Sequence, residues 1–470
     1  MAEKIAFLTL GCKLNYAETS TYERGFLQHG LQVVPWEEAA DVYLVNTCSV
    51  TERAEKKCRN IIRKMHRIAP EAKLVVTGCY AELRKERLMA IEGVALVFGA
   101  REKNRVVPDT LSLLGHSPRP AHARSRAGTS SGPGDAPLLS SREADTLSFR
   151  AADALSSRYA AGAGKSAAEA ATILPAYSTG ERTRAFLKIQ DGCNNCCAYC
   201  TVPFARGRSR NIPAADVLAQ AKQIAATGIR EIVLTGVNTG DFGRTTGESF
   251  LDLLQRLDEV EGIDRYRISS IEPNLLTEEI VDWIASGTKF QPHFHIPLQS
   301  GSDTLLQRVG RHYTTDFFAE RIEYVRRRMD PVPGSPEGNL KPYVFFGIDV
   351  IVGLPGETEE LFRETYSFLK DRIRPAFLHI FPYSRRPGTR AAAWKDQVQD
   401  AVKTERVARL EALCADLHAA FVAANHGRHG EVLWESDCKD GRMGGYTGNY
   451  LRVERPYDPA KVNTLEDIIL

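Results

Sequence analysis

Short runs of β-branched and other apolar residues recur along the first hundred positions, each followed by an amphipathic segment. The runs are KIAFLTL, DVYLVNT, KLVVTG and VALVFG, all between residues 4 and 99. Runs of this length, separated by helix-length segments such as 51–67, are typical of a parallel α/β sheet whose strands are covered on both faces. We therefore predict an open parallel α/β sheet over residues 1–115.

A second series of apolar runs begins near residue 181. It comprises RAFLKIQ, EIVLTG, YRISSI, FHIPL, VFFGIDVIVG and FLHIFPY, each followed by polar, glycine or cysteine residues. Six strands separated by helix-length segments predict a partial (β/α)6 barrel over residues 181–394. Because barrel active sites are built on the loops after the carboxyl ends of the strands, we expect one site that draws on all six loops.

The segments around the predicted barrel have other patterns. Residues 116–180 are rich in Ser, Ala, Arg, Gly and Pro, with too little apolar surface to offset the entropy of ordering, which predicts a flexible linker or insertion. Residues 395–427 predict a connecting helical segment. Residues 428–470 contain short alternating runs broken by glycines, a pattern that favours a small antiparallel β-barrel or sheet.

Length, charge and cysteine content narrow the class of protein. The chain has 470 residues, which is too long for one ordinary core, and a net charge of only +2, so any contact with nucleic acid must come from local basic patches. The N-terminal apolar run breaks at Gly11, and no stretch approaches the roughly 20 apolar residues of a membrane span, so we expect a cytoplasmic protein with no membrane association. In that reducing compartment, ten cysteines indicate metal ligands or catalytic thiols rather than disulfides.

Three cysteines directly follow predicted strands of the N-terminal sheet. Cys12, Cys48 and Cys79 end the stretches FLTLGC, LVNTC and VVTGC. The loops after the strand ends form the binding crevice of an open parallel sheet, so these thiols are expected to converge there. The alternative is three buried thiols of an ordinary α/β core, which their equivalent positions make less favourable.

Four further cysteines lie within the stretch DGCNNCCAYC. Cys193, Cys197 and Cys200 form a C-x3-C-x2-C triplet, and three thiolates of one tight loop can hold three irons of a cubane cluster while the fourth iron stays open to substrate. The alternative is a zinc knot that uses Cys193 and Cys196 as a C-x2-C half-site, for which no comparable second pair is present. We expect Cys196 to be a small hydrophobic residue beside the cluster rather than a ligand.

The C-x3-C-x2-C loop after the first barrel strand, with Tyr199 just before the last cysteine, resembles the radical S-adenosylmethionine (SAM) superfamily. The resemblance is closer still to its methylthiotransferase branch and covers almost the whole chain outside 116–180. The blocks that carry it are TLGCKLN, VNTCSVTERAEKKCRN, TGCYAE, FLKIQDGC, YC with ARGRSR, LTGVNTGDFG, SSIEP, HIPLQSGSD, GIDVIVGLPGET, FPYSRRPGT and GYTGNYLRV. Within the branch, TLGCKLN resembles enzymes acting on threonylcarbamoyladenosine (t6A) in tRNA more than isopentenyladenosine enzymes (YGCQMN) or enzymes acting on a ribosomal protein (SLGCPKN).

This resemblance implies two 4Fe–4S clusters and SAM as cofactors. Cys193, Cys197 and Cys200 would be the catalytic triplet, whose open iron binds SAM, and the second cluster would lie on Cys12, Cys48 and Cys79. One-electron cleavage of SAM would give a radical able to attack an adenine C2–H bond, which polar chemistry has no evident route to break. The implied product is 2-methylthio-t6A.

The partners implied by the resemblance are the anticodon loop of tRNA, SAM, and an electron donor such as flavodoxin or ferredoxin; the sulfur donor is not identifiable. Two alternatives remain open. One is a methylthiotransferase for isopentenyladenosine tRNA or a ribosomal protein. The other is a metal-stabilised RNA-binding protein without catalysis.

The resemblance also suggests contacts to SAM and RNA. Tyr199 would contact the adenine of SAM. Further candidate contacts to SAM lie on the polar barrel rim: Gly236, Asn238, Ser269, Glu272, Gln299 and Ser300. For each of these rim residues the alternative is that it only shapes a turn. The candidate RNA contacts follow the cysteine loop or lie in the C-terminal segment, which resembles a TRAM domain: Arg206, Arg208, Arg210, Tyr446, Tyr450 and Arg452. The alternative role of Arg206 is contact with SAM or the cluster. The alternative for the two tyrosines is a place in the structural core.

Overall fold

The N-terminal strands form a parallel sheet, as their apolar runs predict. The structure is a computed structural model that describes residues 2–116, 173–179, 183–332, 334 and 340–470. The sheet has the strand order β2-β1-β3-β4-β5. Its strands are β1 (Lys4–Thr9), β2 (Gln32–Val34), β3 (Val42–Thr47), β4 (Lys73–Gly78) and β5 (Val94–Phe98). All six positions of the central strand β3 are buried, which explains its continuous apolar run, whereas β2, with three residues, is too short to give a periodic signal.

Helices follow the strands of this sheet. They are α1 (Lys13–Gln28), α2 (Glu52–Ile68), α3 (Cys79–Leu83), α4 (Lys85–Met89) and α5 (Val106–Leu113). α2 begins at Thr51, whose hydroxyl accepts the backbone N–H of Ala54 at 3.1 Å, an N-cap that satisfies one donor of the first turn. Its buried residues Cys58, Ile62 and Met65 recur at helical spacing and pack on the sheet.

All six predicted barrel strands are present. They are β6 (Arg184–Lys188), β9 (Glu231–Thr235), β10 (Arg265–Ile268), β11 (His293–Gln299), β12 (Phe345–Val352) and β13 (Phe377–Pro382). Two parallel sheets, β10-β9-β6 and β11-β12-β13, make up the partial barrel, and the backbone N–H of Ile271 reaches the carbonyl of His295 at 3.1 Å between them. The short strands β7 (Gln190–Asp191) and β8 (Arg210–Asn211) pair antiparallel on either side of the cysteine loop.

Helices cover the outside of the barrel. The helix α6 (Val202–Arg206) follows the cysteine loop and packs against α3. The helices outside the barrel are α7 (Ala214–Ala225), α8 (Phe250–Asp258), α9 (Glu278–Ala285), α10 (Asp303–Val309), α11 (Thr315–Met329) and α12 (Glu359–Ser367). Strand residues alternate between the two faces: Ile348 and Val350 of β12 belong to the main hydrophobic core, while Asp349 between them is only half-buried. Because the core lies between strands and helices, Asp349 and its equivalents face the inside of the barrel.

The C-terminal part is also as predicted. The connecting helix is α13 (Asp400–Asn425), and β14 (His429–Lys439), β15 (Arg442–Thr447), β16 (Arg452–Pro456) and β17 (Leu465–Ile469) form an antiparallel sheet in the order β16-β15-β14-β17. The architecture is therefore the predicted α/β combination of open sheet, partial barrel and small antiparallel sheet.

Residues 1–110 and 173–470 form one compact unit. The predicted linker, 116–180, lies almost entirely outside the described residues, and the domain boundaries at 115, 394 and 427 stay predictions. Of the helices described, none is both long enough and apolar enough to span a membrane.

Candidate functional site

The cysteine loop 193–200 begins at a backbone position that only glycine fits. Gly192 has a φ of +74°, and a Cβ added there would lie 2.1 Å from the backbone oxygen of Arg208. A side chain would therefore push apart the two chain segments that flank the loop. Gly192 places Cys193 on the rim of the barrel, at the carboxyl end of the first barrel strand.

Each sulfur of the C-x3-C-x2-C triplet lies close to an N–H donor. The backbone N–H of Asn195 approaches Cys193 Sγ, the backbone N–H of Val202 approaches Cys200 Sγ, and Arg311 Nη1 approaches Cys197 Sγ, each at 3.4 Å. Such donors stabilise the thiolate, which is the form that binds a metal. Cys196 differs because it is exposed, and its sulfur approaches the carbonyl of Asn194 at 3.9 Å.

The chemistry of this donor set fits a metal-bound triplet. Burial raises the pKa of the Cys193 thiol to about 11 and that of Cys200 to about 12. Thiols this weak stay protonated at neutral pH, and a bound metal ion replaces the proton. Three cysteine sulfurs of one loop, each beside an N–H donor, are therefore suited to hold a metal cluster.

The spacing of the sulfurs argues against a single tetrahedral ion. Within the part of the chain that the structure describes, three ligand atoms all within 4.8 Å of one another occur at His295, Asp349 and His379, and neither cysteine triplet meets that spacing. Zn–S bonds of about 2.3 Å would bring thiolates within about 3.8 Å of each other. The sulfurs of the two triplets are therefore not placed as ligands of one tetrahedral zinc ion.

Two of the predicted rim residues, Asn238 and Glu272, are joined to the cysteine loop. The Glu272 carboxylate accepts Asn195 Nδ2 at 2.9 Å and pairs with Arg311 Nη2 at 2.8 Å. Asn238 Oδ1 accepts the backbone N–H of Glu272 at 3.3 Å. One polar network thus links the loops after β6, β9 and β10 with the loop after α10.

The other four predicted rim residues lie at the ends of barrel strands or directly after them. A Cβ on Gly236 would lie 2.9 Å from the Gln190 side-chain oxygen, and Ser269 is 5% exposed. Gln299 has a φ of +72°, and Ser300 Oγ lies 3.2 Å from the Thr365 hydroxyl. None of these features requires a ligand, so contact between these residues and SAM stays a prediction.

Tyr199 packs beside the cysteine loop. Its ring lies against the small apolar cluster that contains Ala198, Val309 and Leu354. Burial raises the pKa of its phenol well above the usual value, so this side chain is neutral. Its predicted contact with the adenine of SAM stays a prediction.

The three N-terminal cysteines lie at the ends of adjacent strands. Cys12 caps α1, Cys48 follows β3, and Cys79 begins α3 directly after β4. Burial raises the pKa of Cys48 to about 12, and the neighbouring thiols of Cys79 and Cys12 contribute to the increase. The structure therefore brings these three cysteines together at neighbouring strand ends, with Cys12 and Cys79 at helix N-termini.

Glycine precedes two of these cysteines for a steric reason. Gly78 has a φ of +101°, and a Cβ there would lie 2.4 Å from the carbonyl oxygen of Thr47. Gly11 has a φ of +122°, and its Cβ would lie 3.0 Å from that of Cys48. The glycines allow the strand-end loops to approach each other closely enough for the thiols to converge.

Arg206, a predicted RNA contact, is buried beside the N-terminal cysteines. Its side chain is 3% exposed and donates to Asp191 Oδ1 at 2.9 Å and to Asn15 Oδ1 at 2.5 Å. The Cys79 and Cys12 thiols are among the groups that act on its charge. A guanidinium with these partners joins the barrel to α1 and is not presented to RNA.

Further buried ion pairs hold the N-terminal sheet on the barrel. Glu18 Oε1 lies 2.7 Å from Lys103 Nζ and 2.8 Å from Lys188 Nζ, and Asp191 Oδ2 lies 2.7 Å from Lys188 Nζ. Burial by itself would raise the pKa of both carboxyl groups, but the surrounding cations lower it well below the usual range. The joint therefore depends on ionised partners in a dry interface.

The other arginines predicted to bind RNA are more accessible than Arg206. Arg208 and Arg452 are exposed, and Arg210 is half-buried with its guanidinium donating to the Arg206 carbonyl at 2.9 Å. Arg452 pairs with Glu454 at 3.1 Å. Their contact with RNA stays a prediction.

The two tyrosines of the C-terminal sheet face the base of the barrel. The Tyr450 hydroxyl accepts Arg184 Nη1 at 3.0 Å, and the Tyr450 ring lies 4.6 Å from that of His293. Tyr446 lies beneath the guanidinium of Arg184 at 4.8 Å. These contacts match the alternative of a structural role, in which both rings dock the C-terminal sheet on the barrel.

Arg311 was not anticipated from the sequence, although it contacts both Cys197 and Glu272. It follows α10 and precedes α11, so it lies in a loop between two helices. The rule that active-site residues follow barrel strands does not predict a functional residue between two helices. A lone arginine in GRHY carries no periodic or spacing signal.

Comparison with known proteins agrees with this geometry. Residues 4–99 match a family described as Uncharacterized protein family UPF0004, and residues 187–369 match the Radical SAM superfamily. The chain is 37% identical over 455 residues to the Bacillus subtilis (strain 168) "Threonylcarbamoyladenosine tRNA methylthiotransferase MtaB", covering 96% of this chain and 89% of the relative. It is 31% identical to the Wolinella succinogenes "tRNA-2-methylthio-N(6)-dimethylallyladenosine synthase", covering 94% and 90%.

A solved structure supports the fold. The radical S-adenosylmethionine methyltransferase TsrM from Kitasatospora setae aligns with a TM-score of 0.51 at 16% identity, covering 83% of this chain and 74% of that one. The two matched families coincide with the N-terminal sheet and the barrel, the parts that carry the two cysteine triplets. From its similarity to two tRNA methylthiotransferases along almost its whole length, the chain belongs to the radical SAM methylthiotransferase family.

Proposed function

We propose that this protein converts t6A next to the anticodon of tRNA to 2-methylthio-t6A. Two 4Fe–4S clusters would serve the reaction, one held by Cys193, Cys197 and Cys200 and the other by Cys12, Cys48 and Cys79. The observation that carries the proposal is the arrangement of two cysteine triplets in one compact unit, each at the strand ends of its own sheet. The t6A-specific name of the Bacillus subtilis relative at 37% identity favours t6A as the substrate.

The residues around the first triplet suit the binding of a cluster and SAM. When bound, these groups supply the one-electron chemistry that breaks an unactivated C–H bond. Arg311 and Asn195 hold the Glu272 carboxylate beside the cysteine loop. Polar side chains at this position can orient the amino and carboxylate groups of SAM. Tyr199 packs on the apolar side chains of Val309 and Leu354 beside the loop, so one wall of the site is apolar.

We further propose that tRNA approaches through Arg208, Arg210 and Arg452, whose phosphate contacts would make binding salt-dependent. An electron donor such as flavodoxin or ferredoxin would supply the reducing equivalents, and the reaction would take place in the cytoplasm. Arg206 is omitted from this RNA surface because it is buried.

The decisive experiment measures the modified nucleosides of tRNA in cells. Deleting the gene and analysing total tRNA nucleosides by mass spectrometry should eliminate 2-methylthio-t6A. The wild-type gene should restore it, and a Cys197→Ala copy should not, because Cys197 is the buried member of the triplet beside Arg311.

Cys196→Ala is the matched control, since the adjacent thiol is exposed and should restore the nucleoside. Recovery by Cys197→Ala together with failure of Cys196→Ala would reverse the ligand assignment. Loss of 2-methylthio-isopentenyladenosine instead of 2-methylthio-t6A would keep the chemistry and refute the substrate. Unchanged nucleosides, with zinc in place of iron in the purified protein, would favour the non-catalytic RNA-binding protein.

A further inference from the structure

A short segment that follows β13 contacts both cysteine regions of the molecule. It has the sequence RPGTRA over residues 386–391, here called the bridging segment. The Arg386 carbonyl accepts the backbone N–H of Thr389 at 3.1 Å and the hydroxyl of the same residue at 2.8 Å. Between them, Pro387 fixes one φ angle, and Gly388 has the positive φ, +93°, that a type II turn requires. The bridging segment is therefore a conformationally restricted turn.

The first residue of the bridging segment binds the loop after Cys48. Arg386 Nη2 donates to Ser49 Oγ at 3.0 Å and forms an ion pair with Glu55 at the start of α2. The Ser49 hydroxyl in turn donates to Glu55 Oε1 at 2.7 Å. The side chains of Arg386 and Glu55 are only 5% and 6% exposed. A buried, charge-assisted group of this kind fixes the loop in one position against the barrel.

The last two residues of the bridging segment bind the cysteine loop 193–200. Arg390 Nη2 donates to the Cys196 carbonyl at 2.8 Å, and the backbone N–H of Ala391 donates to the Ala198 carbonyl at 2.9 Å. Ala391 and Ala198 are also buried in the same small apolar cluster. These contacts hold the main chain on both sides of the buried cysteine of the triplet.

A second buried arginine makes an independent attachment between the same regions. Arg206, on α6 after the cysteine loop, donates to Asn15 Oδ1 at 2.5 Å, and Asn15 lies three residues after Cys12. Arg386 instead holds the loop after Cys48. Two attachments at different strand ends restrict a rotation of the sheet against the barrel that a single contact would allow.

The proposed reaction needs the two cysteine sites at a fixed separation. It exchanges a C–H bond for a C–S bond at C2 of one adenine, so both sites must reach the same carbon atom. The rate of such a step depends steeply on placement, and a shift of about 1 Å can cost about a hundred-fold. Contacts that hold one site against the other therefore affect bond formation even where they touch no substrate.

We propose that Arg386, at the head of the bridging segment, is a positioning residue that sets the N-terminal cysteine site against the cysteine loop of the barrel, so that both act on one substrate carbon. This inference rests on the proposed function. Arg386 contacts no cysteine sulfur and acts through the loop that carries Ser49 and Glu55. Its loss should uncouple the two sites without emptying either of them.

The test measures two products of the holoenzyme with an anticodon stem-loop RNA that carries t6A. One is 5′-deoxyadenosine, which reports the cleavage of SAM, and the other is the methylthiolated nucleoside. Arg386→Gln should keep the iron content and the cleavage of SAM. The amount of methylthiolated nucleoside per 5′-deoxyadenosine should fall about ten- to a hundred-fold.

The double variant Arg386→Met/Glu55→Gln separates positioning from stability. Arg386→Gln leaves the Glu55 carboxylate buried without its partner and should lower the melting temperature, whereas removal of both charges should restore it. The product ratio should stay low in both variants. Recovery of the ratio together with the melting temperature would show a role in stability alone and would overturn the proposal, as would an unchanged ratio in Arg386→Gln.

Hydrogen exchange of the iron-free protein provides a measurement that needs neither clusters nor RNA. The backbone amides of residues 49–55 should exchange faster in Arg386→Gln and in the double variant than in wild type, because the bridging segment no longer holds them. Arg328→Gln, which removes an exposed ion pair with Asp282 on the outside of the barrel, is the control and should match wild type in exchange and in product ratio.

Equal exchange in Arg386→Gln and wild type would overturn the positioning role. If the Arg386 variants load no iron, the exchange measurement decides by itself. Failure of the wild-type protein to methylthiolate the t6A RNA would overturn the proposed function, and hydrogen exchange would then still decide whether Arg386 holds residues 49–55.

Discussion

Neighbouring residues of the same type have different roles here because their surroundings differ. Cys196 and Cys197 are adjacent, yet one thiol is exposed and the other is 9% exposed beside Arg311. Among the histidines, burial decides which imidazole resists protonation. The inward-facing His379 has a pKa lowered to about 4, in contrast to the value of about 6.5 expected for an unfolded chain.

This shift predicts acid sensitivity. Between pH 6.5 and pH 4 the unfolded chain binds a proton at His379 and the folded protein does not, so stability should decrease as pH falls through this window. His379→Phe keeps an aromatic ring that stacks on His295 but removes the titrating imidazole. The loss of unfolding free energy between pH 6.5 and pH 4 should therefore be smaller in this variant, by at most about 3 kcal/mol. Urea unfolding of the iron-free protein at several pH values measures the slope.

The control for this prediction is His312→Phe, at an exposed position where the pH dependence should be unchanged. An identical pH slope in wild type and His379→Phe would show that His379 is protonated equally in the folded and unfolded states.

At the scale of elements, the cysteine loops depend on strand ends and on the glycines that precede them. Alternating strand and helix patterns predicted where Cys12, Cys48, Cys79 and Cys193 begin their loops, because a parallel sheet places all its carboxyl ends at one edge. The pattern did not predict how close the loops approach each other. That distance follows from positive φ angles and from the absence of a Cβ at Gly78 and Gly192.

Gly192→Ala should therefore destabilise the cysteine loop by more than the cost of a left-handed alanine backbone alone. The left-handed conformation costs an alanine about 1 kcal/mol, and the contact of its Cβ with the Arg208 carbonyl adds strain. We expect a lower melting temperature and loss of about half of the iron bound by the wild-type protein.

Gly228→Ala is the matched control for this substitution, because Gly228 has a φ of +82° with no heavy atom within 4 Å of the added Cβ. It should keep all of its iron and lose only about 1 kcal/mol of stability. Equal iron content in the two variants would contradict a steric role for Gly192.

At the scale of the whole molecule, buried charges join the N-terminal sheet to the barrel. Glu18 on α1 is fully buried and faces Lys103, which lies between β5 and α5, and Lys188 of the barrel strand β6. Removing one member of such a group leaves uncompensated charge in a dry interface. The same joint positions Arg206 beside Cys12 and Cys79.

Glu18→Gln should lower the free energy of unfolding by about 3–5 kcal/mol. Glu454→Gln, which removes an exposed partner of Arg452, is the control and should cost about 0–1 kcal/mol. Thermal melts and iron content of the two variants measure the effect. A Glu18→Gln protein as stable as the control would mean that the joint does not depend on this carboxylate.

The sequence by itself determined the order of elements, the parallel sheet, the six barrel strands and the grouping of the cysteines into two triplets. These follow from periodicity and spacing, which are local along the chain. Only the tertiary structure decided that Arg206 is buried in a joint and that Tyr446 and Tyr450 face the base of the barrel. It also decided that Arg311 reaches the cysteine loop. Each of these outcomes depends on which distant segment covers a side chain, and a pattern of neighbouring residues does not encode that contact.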